Sequence, residues 1–343
     1  MSEKNDRFIN ELSLIDSGLS VIATKFETRP GDIFRALFKT KTVQEISNLM
    51  RDLEPEMILV SQGAIGLSNC GLRAAKMLGV KTMSFIPMAH PVSLVRGKSS
   101  FDVFVQESLY RWLYSLPDFF LTTNKTSSDY LHHRYHVRDE RILVSYYGVK
   151  SEDVSPPCYM FEKGKNKRIQ LGIIGRVEFY QKRHDLFFQL ITQHPLVKNF
   201  DIHILGDGPD LDACRELAIR QGIQDQVTFH GWISDIRDWY RKLDLIVMPS
   251  RFEGFPLVIL EAMLYGVPIA ASKVDGMKEV LPEHWLFPEG DGLGMNKVIE
   301  KILENDQTAF INDNYNIICT QLNREAYKKS FKENIINAYQ QSV

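Results

Sequence analysis

Short continuous apolar runs alternate with longer segments of helical period along almost the whole chain. In the first half LSVIAT (19–24), MILVS (57–61), VKTMSFIP (80–87), FFLTT (119–123) and ILVSY (142–146) read as strands. In the second half IQLGIIG (169–175), DIHILGDG (201–208), QVTFHGW (226–232), LDLIVMPS (243–250) and GVPIAAS (266–272) do the same. Runs that are apolar without alternation belong to strands covered on both faces, as in parallel sheets with crossover helices. Amphipathic segments such as HDLFFQLITQH (184–194) and LDACRELAIRQG (211–222) supply those helices. The pattern predicts an α/β protein with two doubly wound, Rossmann-like sheets. It breaks between Tyr146 and Arg168, where Gly148, Pro156, Pro157 and Gly164 interrupt both periods, so a linker is expected over 150–166. The expected organisation is a first domain over 1–155, a second over 156–326, and a closing helix over 327–343 packing back toward the first. Tyr327, Phe331, Ile335 and Tyr339 form one apolar stripe on that helix. Ligands of such sheets sit outside the carboxyl ends of the strands, so the loops there are where chemistry is sought.

One of those loops has an unusual composition. PSRFEGFPLVILEAMLYGVP (249–268) sets Glu253 on the loop after a buried strand and Glu261 inside an apolar helix that Pro256 opens and Gly266 stops. The start of that helix presents free N–H groups and positive dipole, a ready anion site. A carboxylate among Val258, Ile259, Leu260, Ala262 and Met263 is costly to bury without hydrogen-bond donors, which vicinal ribose hydroxyls would supply. The other reading puts Glu261 on an exposed helix face and Glu253 at its cap. In the preceding unit, GRVEFYQKRHD (175–185) places Gly175 and Arg176 at a strand end and Lys182 at the next helix entry. A planar guanidinium and a point charge can converge there on one phosphate-bearing ligand.

Composition narrows the classes. With 44% hydrophobic and 24% charged residues the chain reads as a folded globular protein, and its 343 residues exceed one ordinary core. Cys70, Cys158, Cys214 and Cys319 have no paired spacing, which fits a reducing compartment. No run approaches a membrane span, so a cytoplasmic protein is expected. The halves carry net charges of +3 and −5. The basic excess of the first is the sole charge signal for peripheral contact with an inner membrane face, and nothing points to nucleic acid.

The stretches GRVEFYQKRHDLFFQL (175–190), HILGDGPDLDAC (203–214), VTFHGW through GVPIAAS (227–272), VDGMKEVL (274–281) and SFKENIINAY (330–339) stand in the order and near the spacing of the donor-binding half of family 4 glycosyltransferases, which the chain resembles over about 165–343. Residues 53–62, 79–90, 119–131 and 142–149 resemble the first half of that family more loosely. The resemblance implies a GT-B fold, two Rossmann-like domains facing a cleft. It also implies retaining transfer of a sugar from a nucleoside diphosphate sugar, a UDP-sugar rather than a GDP-sugar, to a lipid-linked or oligosaccharide acceptor in bacterial surface polysaccharide synthesis. Arg176 and Lys182 would then hold the diphosphate, with Gly175 between them and the strand. Glu253 would contact the donor sugar, the backbone around Gly254, Phe255, Pro256 and Leu257 would hold sugar and phosphate, and Glu261 would bind ribose. His90 matches the family's first-domain histidine near the anomeric centre, so His90 and Glu253 are the catalytic candidates. Neither a metal nor a cofactor is called for.

The family pattern opens with a strand, a glycine-rich loop and a helix that residues 1–50 do not match. The expectation is a first domain lacking that strand and loop, either truncated or reduced. A nucleotide-sugar-binding subunit without transfer activity and a nucleotide-sugar epimerase are therefore the alternatives. Three further motifs are set aside. Asp210 and Asp212 read as helix-opening acids rather than a metal pair, and GDGPDL (206–211) lacks the third glycine of a dinucleotide fingerprint. His132, His133 and His136 lack a companion carboxylate or cysteine.

Overall fold

The computed structural model describes residues 36–38, 40–63, 67–91, 100–151, 154, 156 and 168–341. The strand expected at 19–24 and most of the expected linker lie outside them.

Four strands form the first sheet, β1 (Met57–Ser61), β2 (Lys81–Phe85), β3 (Phe119–Thr122) and β4 (Ile142–Val144), all parallel and in sequence order. Its described helices are α1 (Thr40–Arg51), α2 (Asn69–Leu78), α3 (Ser100–Leu113) and α4 (Lys125–Tyr135). The second sheet contains β5 (Ile169–Ile174), β6 (Phe200–Leu205), β7 (Val227–Gly231), β8 (Leu245–Met248), β9 (Ile269–Ser272) and β10 (Leu286–Phe287). These strands are also parallel, in the order β10-β9-β8-β5-β6-β7. Every strand expected at the described positions is present. The two-residue β10 is an addition, too short to give a period.

Around the second sheet lie α5 (Phe179–Lys182), α6 (His184–Ile191), α7 (Leu211–Arg220), α8 (Arg237–Tyr240), α9 (Leu257–Tyr265), α10 (Met277–Val280), α11 (Gly292–Glu304) and α12 (Thr308–Thr320). The β8 and β9 strands are buried at every residue, which is why they read as unbroken apolar runs. The chain steps from β5 outward to β6 and β7, then returns to the other side of β5 as β8. That reversal opens a crevice at the carboxyl ends of β5 and β8, where doubly wound sheets hold ligands.

The closing helix α13 (Arg324–Gln340) belongs spatially to the first sheet. Ala338 is buried with Met83, Phe119 and Leu121, and Phe331 and Ile335 pack beside them. Phe85 and Phe331 meet edge to face at 6.0 Å. Of the expected stripe, Tyr327 meets Tyr147 edge to face, while Tyr339 stays 46% exposed under Lys81. The two passages between the sheets run together, Val149 bridging Asn323 and exchanging hydrogen bonds with Leu322 and Arg324. A side chain at Gly148 would overlap the Asn323 carbonyl.

Candidate active site

The loop after β8 brings Glu253 to the crevice. Only 6% exposed, its Oε1 accepts hydrogen bonds from Lys182 Nζ at 2.5 Å and Ser250 Oγ at 2.7 Å. Gln181 Nε2 approaches Oε2 at 3.5 Å. Lys182 and Glu253 are 71 residues apart in sequence; Lys182 ends α5 after β5, and Glu253 lies on the loop after β8. Burying a carboxylate and an ammonium is tolerated because each neutralises the other, and removing one partner strands the other charge. Gly175 lies beside Lys182, and its backbone conformation is what calls for glycine. Its φ of 134° suits only glycine, and a side chain there would sit 3.8 Å from Lys182 Nζ.

The Glu253 backbone is fixed from the opposite side. Its N–H donates to Asp275 Oδ2 at 2.7 Å, and Gly276 N donates to Gly254 O at 3.1 Å. Burial pushes the Asp275 carboxyl up to about 6. Pro256 lies just before α9 with extended backbone and no side-chain cap, so it precedes the helix rather than forming its first turn. Gly266 ends α9 in the left-handed region, as expected. Phe255 is buried, and Leu257 is 48% exposed at the helix start.

Glu261 is half-buried in α9. Its Oε2 accepts the Tyr240 hydroxyl at 2.6 Å, and Tyr240 stacks on Tyr265 at 5.4 Å. Burial raises the Glu261 carboxyl, opposed by that hydrogen bond. Its partner is thus a tyrosine from α8 and not solvent. Tyr240 follows Ile236 by one helical turn, and Ile236 walls a cavity of about 710 Å³. Ile174, Gly175, Arg176, Leu205, Gly206, Asp207, Gly208, Trp232 and Ile233 complete that cavity. The Arg176 guanidinium is exposed and has no hydrogen bond or ion pair among the described residues. Trp232 is 72% exposed at the cavity wall.

Among the described residues, the first half reaches the Glu253 loop through the segment after β2 and through Tyr146, whose ring meets Phe255 at 5.2 Å. Pro87 to His90 follows β2 and lies against the Glu253 loop, where a Cβ on Gly254 would sit 2.7 Å from Pro87 O. The His90 ring packs on Phe252 at 4.6 Å, with Nδ1 3.3 Å from Pro91 O. Burial lowers the His90 pKa and favours the neutral imidazole.

Residues 168–305 match the family model described as Glycosyl transferases group 1. Over these residues, less than half of its length, the chain is similar to that family. Among curated relatives, the lipopolysaccharide core biosynthesis mannosyltransferase LpsB of Rhizobium meliloti is 34% identical over 152 residues, 40% of this chain and 42% of the relative. Protein CapJ of Staphylococcus aureus is 30% identical over 189 residues, covering 50% and 46%. The lipopolysaccharide 1,6-galactosyltransferase of Salmonella typhimurium is 30% identical over 141 residues, covering 39% and 37%. The matches thus span less than half the length of these relatives. Among solved structures, HepE of Anabaena in complex with UDP has a TM-score of 0.69 at 17% identity, covering 86% of this chain and 82% of its own. Sucrose-phosphate synthase of Thermosynechococcus elongatus has a TM-score of 0.71 at 17% identity, covering 95% and 82%. The fold is GT-B.

The expected residues fall into three places. Gly175, Lys182, Glu253 and Gly254 meet at the crevice, with His90 one ring away. Arg176 faces the cavity, and Glu261 stands behind its wall on Tyr240. Lys182 is engaged by Glu253, whereas Arg176 has no such partner among the described residues. The glycines of GDGPDL, set aside as an incomplete fingerprint, line the cavity, because side chains at Gly206 and Gly208 would overlap the Gly175 and Val177 carbonyls. Asp210 opens α7 and its Oδ2 accepts Phe179 N at 2.7 Å, tying that helix to the loop after β5. The histidine run does have a companion carboxylate: Asp139 Oδ1 lies 2.9 Å from His132 Nδ1, brought there by the turn after α4. Sequence reasoning missed Ser250, Asp275, Tyr240 and the Trp232, Ile233 and Ile236 wall. A serine just before a loop carboxylate was the single local clue.

Proposed function

We propose that the chain is a retaining glycosyltransferase that takes a sugar from a nucleoside diphosphate sugar, a UDP-sugar in preference to a GDP-sugar, and passes it to a saccharide or lipid-linked acceptor of a bacterial surface polysaccharide. The observation that carries this reading is the Lys182–Glu253 pair at the switch point, beside a cavity walled by Arg176. The base would enter the cavity against Trp232 and Ile233, and the ribose would meet Glu261. The diphosphate would lie between Arg176, Lys182 and the uncapped start of α9. Cleavage of the sugar–phosphate bond leaves growing negative charge on the diphosphate, which fixed cationic and N–H groups stabilise. Glu253 would orient the sugar hydroxyls while Lys182 turns from it to the phosphate. The acceptor would approach from the His90 side on the same face as the departing phosphate, which would take the acceptor proton. The relatives named as lipopolysaccharide mannosyl- and galactosyltransferases, and the HepE structure with UDP, support the donor and acceptor classes.

Calorimetry with UDP and with GDP, without added metal, tests the donor. Binding of UDP that weakens in Arg176→Ala and Glu261→Ala is expected, and binding of neither nucleotide overturns the reading. Transfer of radiolabelled sugar to an acceptor fraction, lost in Glu253→Ala, separates the enzyme from an inert binding subunit.

A further inference from the structure

Glu279 sits on α10 of the second half, yet its side chain makes four hydrogen bonds to the first. Its Oε1 accepts Thr126 N at 2.7 Å and Thr126 Oγ at 2.6 Å, and its Oε2 accepts Lys125 N at 3.0 Å and the Tyr146 hydroxyl at 2.9 Å. Lys125 and Thr126 open α4, where unpaired N–H groups and the positive end of the helix dipole favour a carboxylate. The helix's own cap, Asn124, turns its side chain to Ser127 N at 2.7 Å, leaving the first two N–H groups to Glu279. One carboxylate therefore caps a helix of the opposite domain with four charge-assisted hydrogen bonds.

The same short turn reaches the donor loop. Asp275 holds the Glu253 N–H, and Gly276 N holds Gly254 O. A side chain at Gly276 would sit 2.6 Å from Gly254 O, so the two backbones are in contact. Tyr146, which donates to Glu279, also packs its ring edge to face on Phe255 at 5.2 Å. Asp275 keeps a left-handed backbone with φ of 40°, a strained conformation for a residue with a side chain. A continuous path thus runs from the start of α4 through Glu279 and the 275–276 turn to the Glu253 loop.

We propose that Glu279 is an interdomain latch: seated on α4 it holds the cleft closed, and through the 275–276 turn it keeps the Glu253 loop in its working geometry. Glu279 is a positioning residue, since it acts through Asp275 and Gly276. The kinetic part of this inference rests on the glycosyltransferase reading, and the conformational part does not. Closure of two domains about a cleft is a two-state motion, so a latch worth a few hydrogen bonds shifts its population measurably.

The test uses the full chain with Glu279→Ala, Glu279→Gln and Thr126→Val. Amide hydrogen exchange over 124–128 and the radius of gyration from solution scattering are read first, without any ligand. The latch predicts exchange about tenfold faster and a larger radius in Glu279→Ala, with Glu279→Gln and Thr126→Val between it and the native protein. Unchanged exchange and radius in Glu279→Ala overturn the latch, whatever the donor proves to be. Should Glu279→Ala not fold, the other two variants give the same decision. The kinetic arm expects kcat for donor turnover to fall about tenfold or more with UDP affinity and donor KM within about threefold, and partial recovery in Glu279→Gln. Loss of UDP affinity equal to the loss of kcat assigns Glu279 to the local fold of the donor loop and overturns the positioning role. Failure of the native protein to bind UDP refutes the function proposed above and leaves the latch to be decided by exchange and scattering.

Discussion

The two sheets of this molecule are built alike and equipped differently. Both are parallel, and in both the central strands are largely buried. In the second, the loops after β5 and β8 contribute a buried ion pair, an exposed guanidinium and a cavity wall. In the first, one loop contributes a neutral imidazole and one helix start, and that helix start is filled by Glu279 from across the cleft. The difference lies in topology. The second sheet reverses its strand order, which splays two adjacent loops apart and makes room for a ligand, whereas the described strands of the first run in one direction and make no such gap.

The sharpest break of this comparison is at the ion pair. Glu253→Gln and Lys182→Ala should each lower donor turnover by about a thousandfold or more, because each removes a site charge and strands its buried partner. His90→Ala, measured in the same assay, should cost about tenfold, and an equal loss would mean that the two halves share the chemistry evenly. Gly254→Ala comes next. Its Cβ meets the Pro87 carbonyl across the cleft, so turnover should fall about a hundredfold while thermal unfolding shifts by only a few degrees. Arg176→Ala should weaken UDP about thirtyfold in calorimetry and leave the unfolding midpoint unchanged, since the guanidinium has no partner among the described residues.

The last test concerns stability and pH. Burial lifts the Asp275 carboxyl from 3.8 to about 6, so the folded protein holds this proton more tightly than the unfolded chain. Stability from this group is complete below its unfolded pKa and is lost as pH rises through the folded one. The difference amounts to on the order of 3 kcal/mol. Denaturant titrations from about pH 4 to 7 should show the native protein losing ground to Asp275→Asn over that window. A constant gap between the two would show that Asp275 ionises normally and that its hydrogen bond to Glu253 N is not desolvated.

Reading the chain succeeded where information was local. Continuous apolar runs gave every described strand except Leu286–Phe287, since two residues have no period. Proline, two glutamates and a closing glycine located α9 and the loop before it, because caps and turn residues act within a few positions. The reading of Glu261 as exposed or bound had no local answer. Tyr240 settles the competition for one oxygen, and it comes from another helix 21 residues earlier. The glycines of GDGPDL have a packing role that their spacing did not disclose, because β5 and β6 bring the two loops within overlap distance.

The sequence by itself determined that this is a two-sheet α/β chain, which loops carry charge, and which helix has a carboxylate in an apolar setting. Each of these follows from hydrophobic period and turn chemistry within a dozen residues. Only the tertiary structure decided that Lys182 engages Glu253, that Trp232 and Ile236 wall a cavity, and that Glu279 caps a helix of the other domain 153 residues away. Strand order and the packing of two domains set those meetings, and pairings across such separations leave no period in the sequence to read.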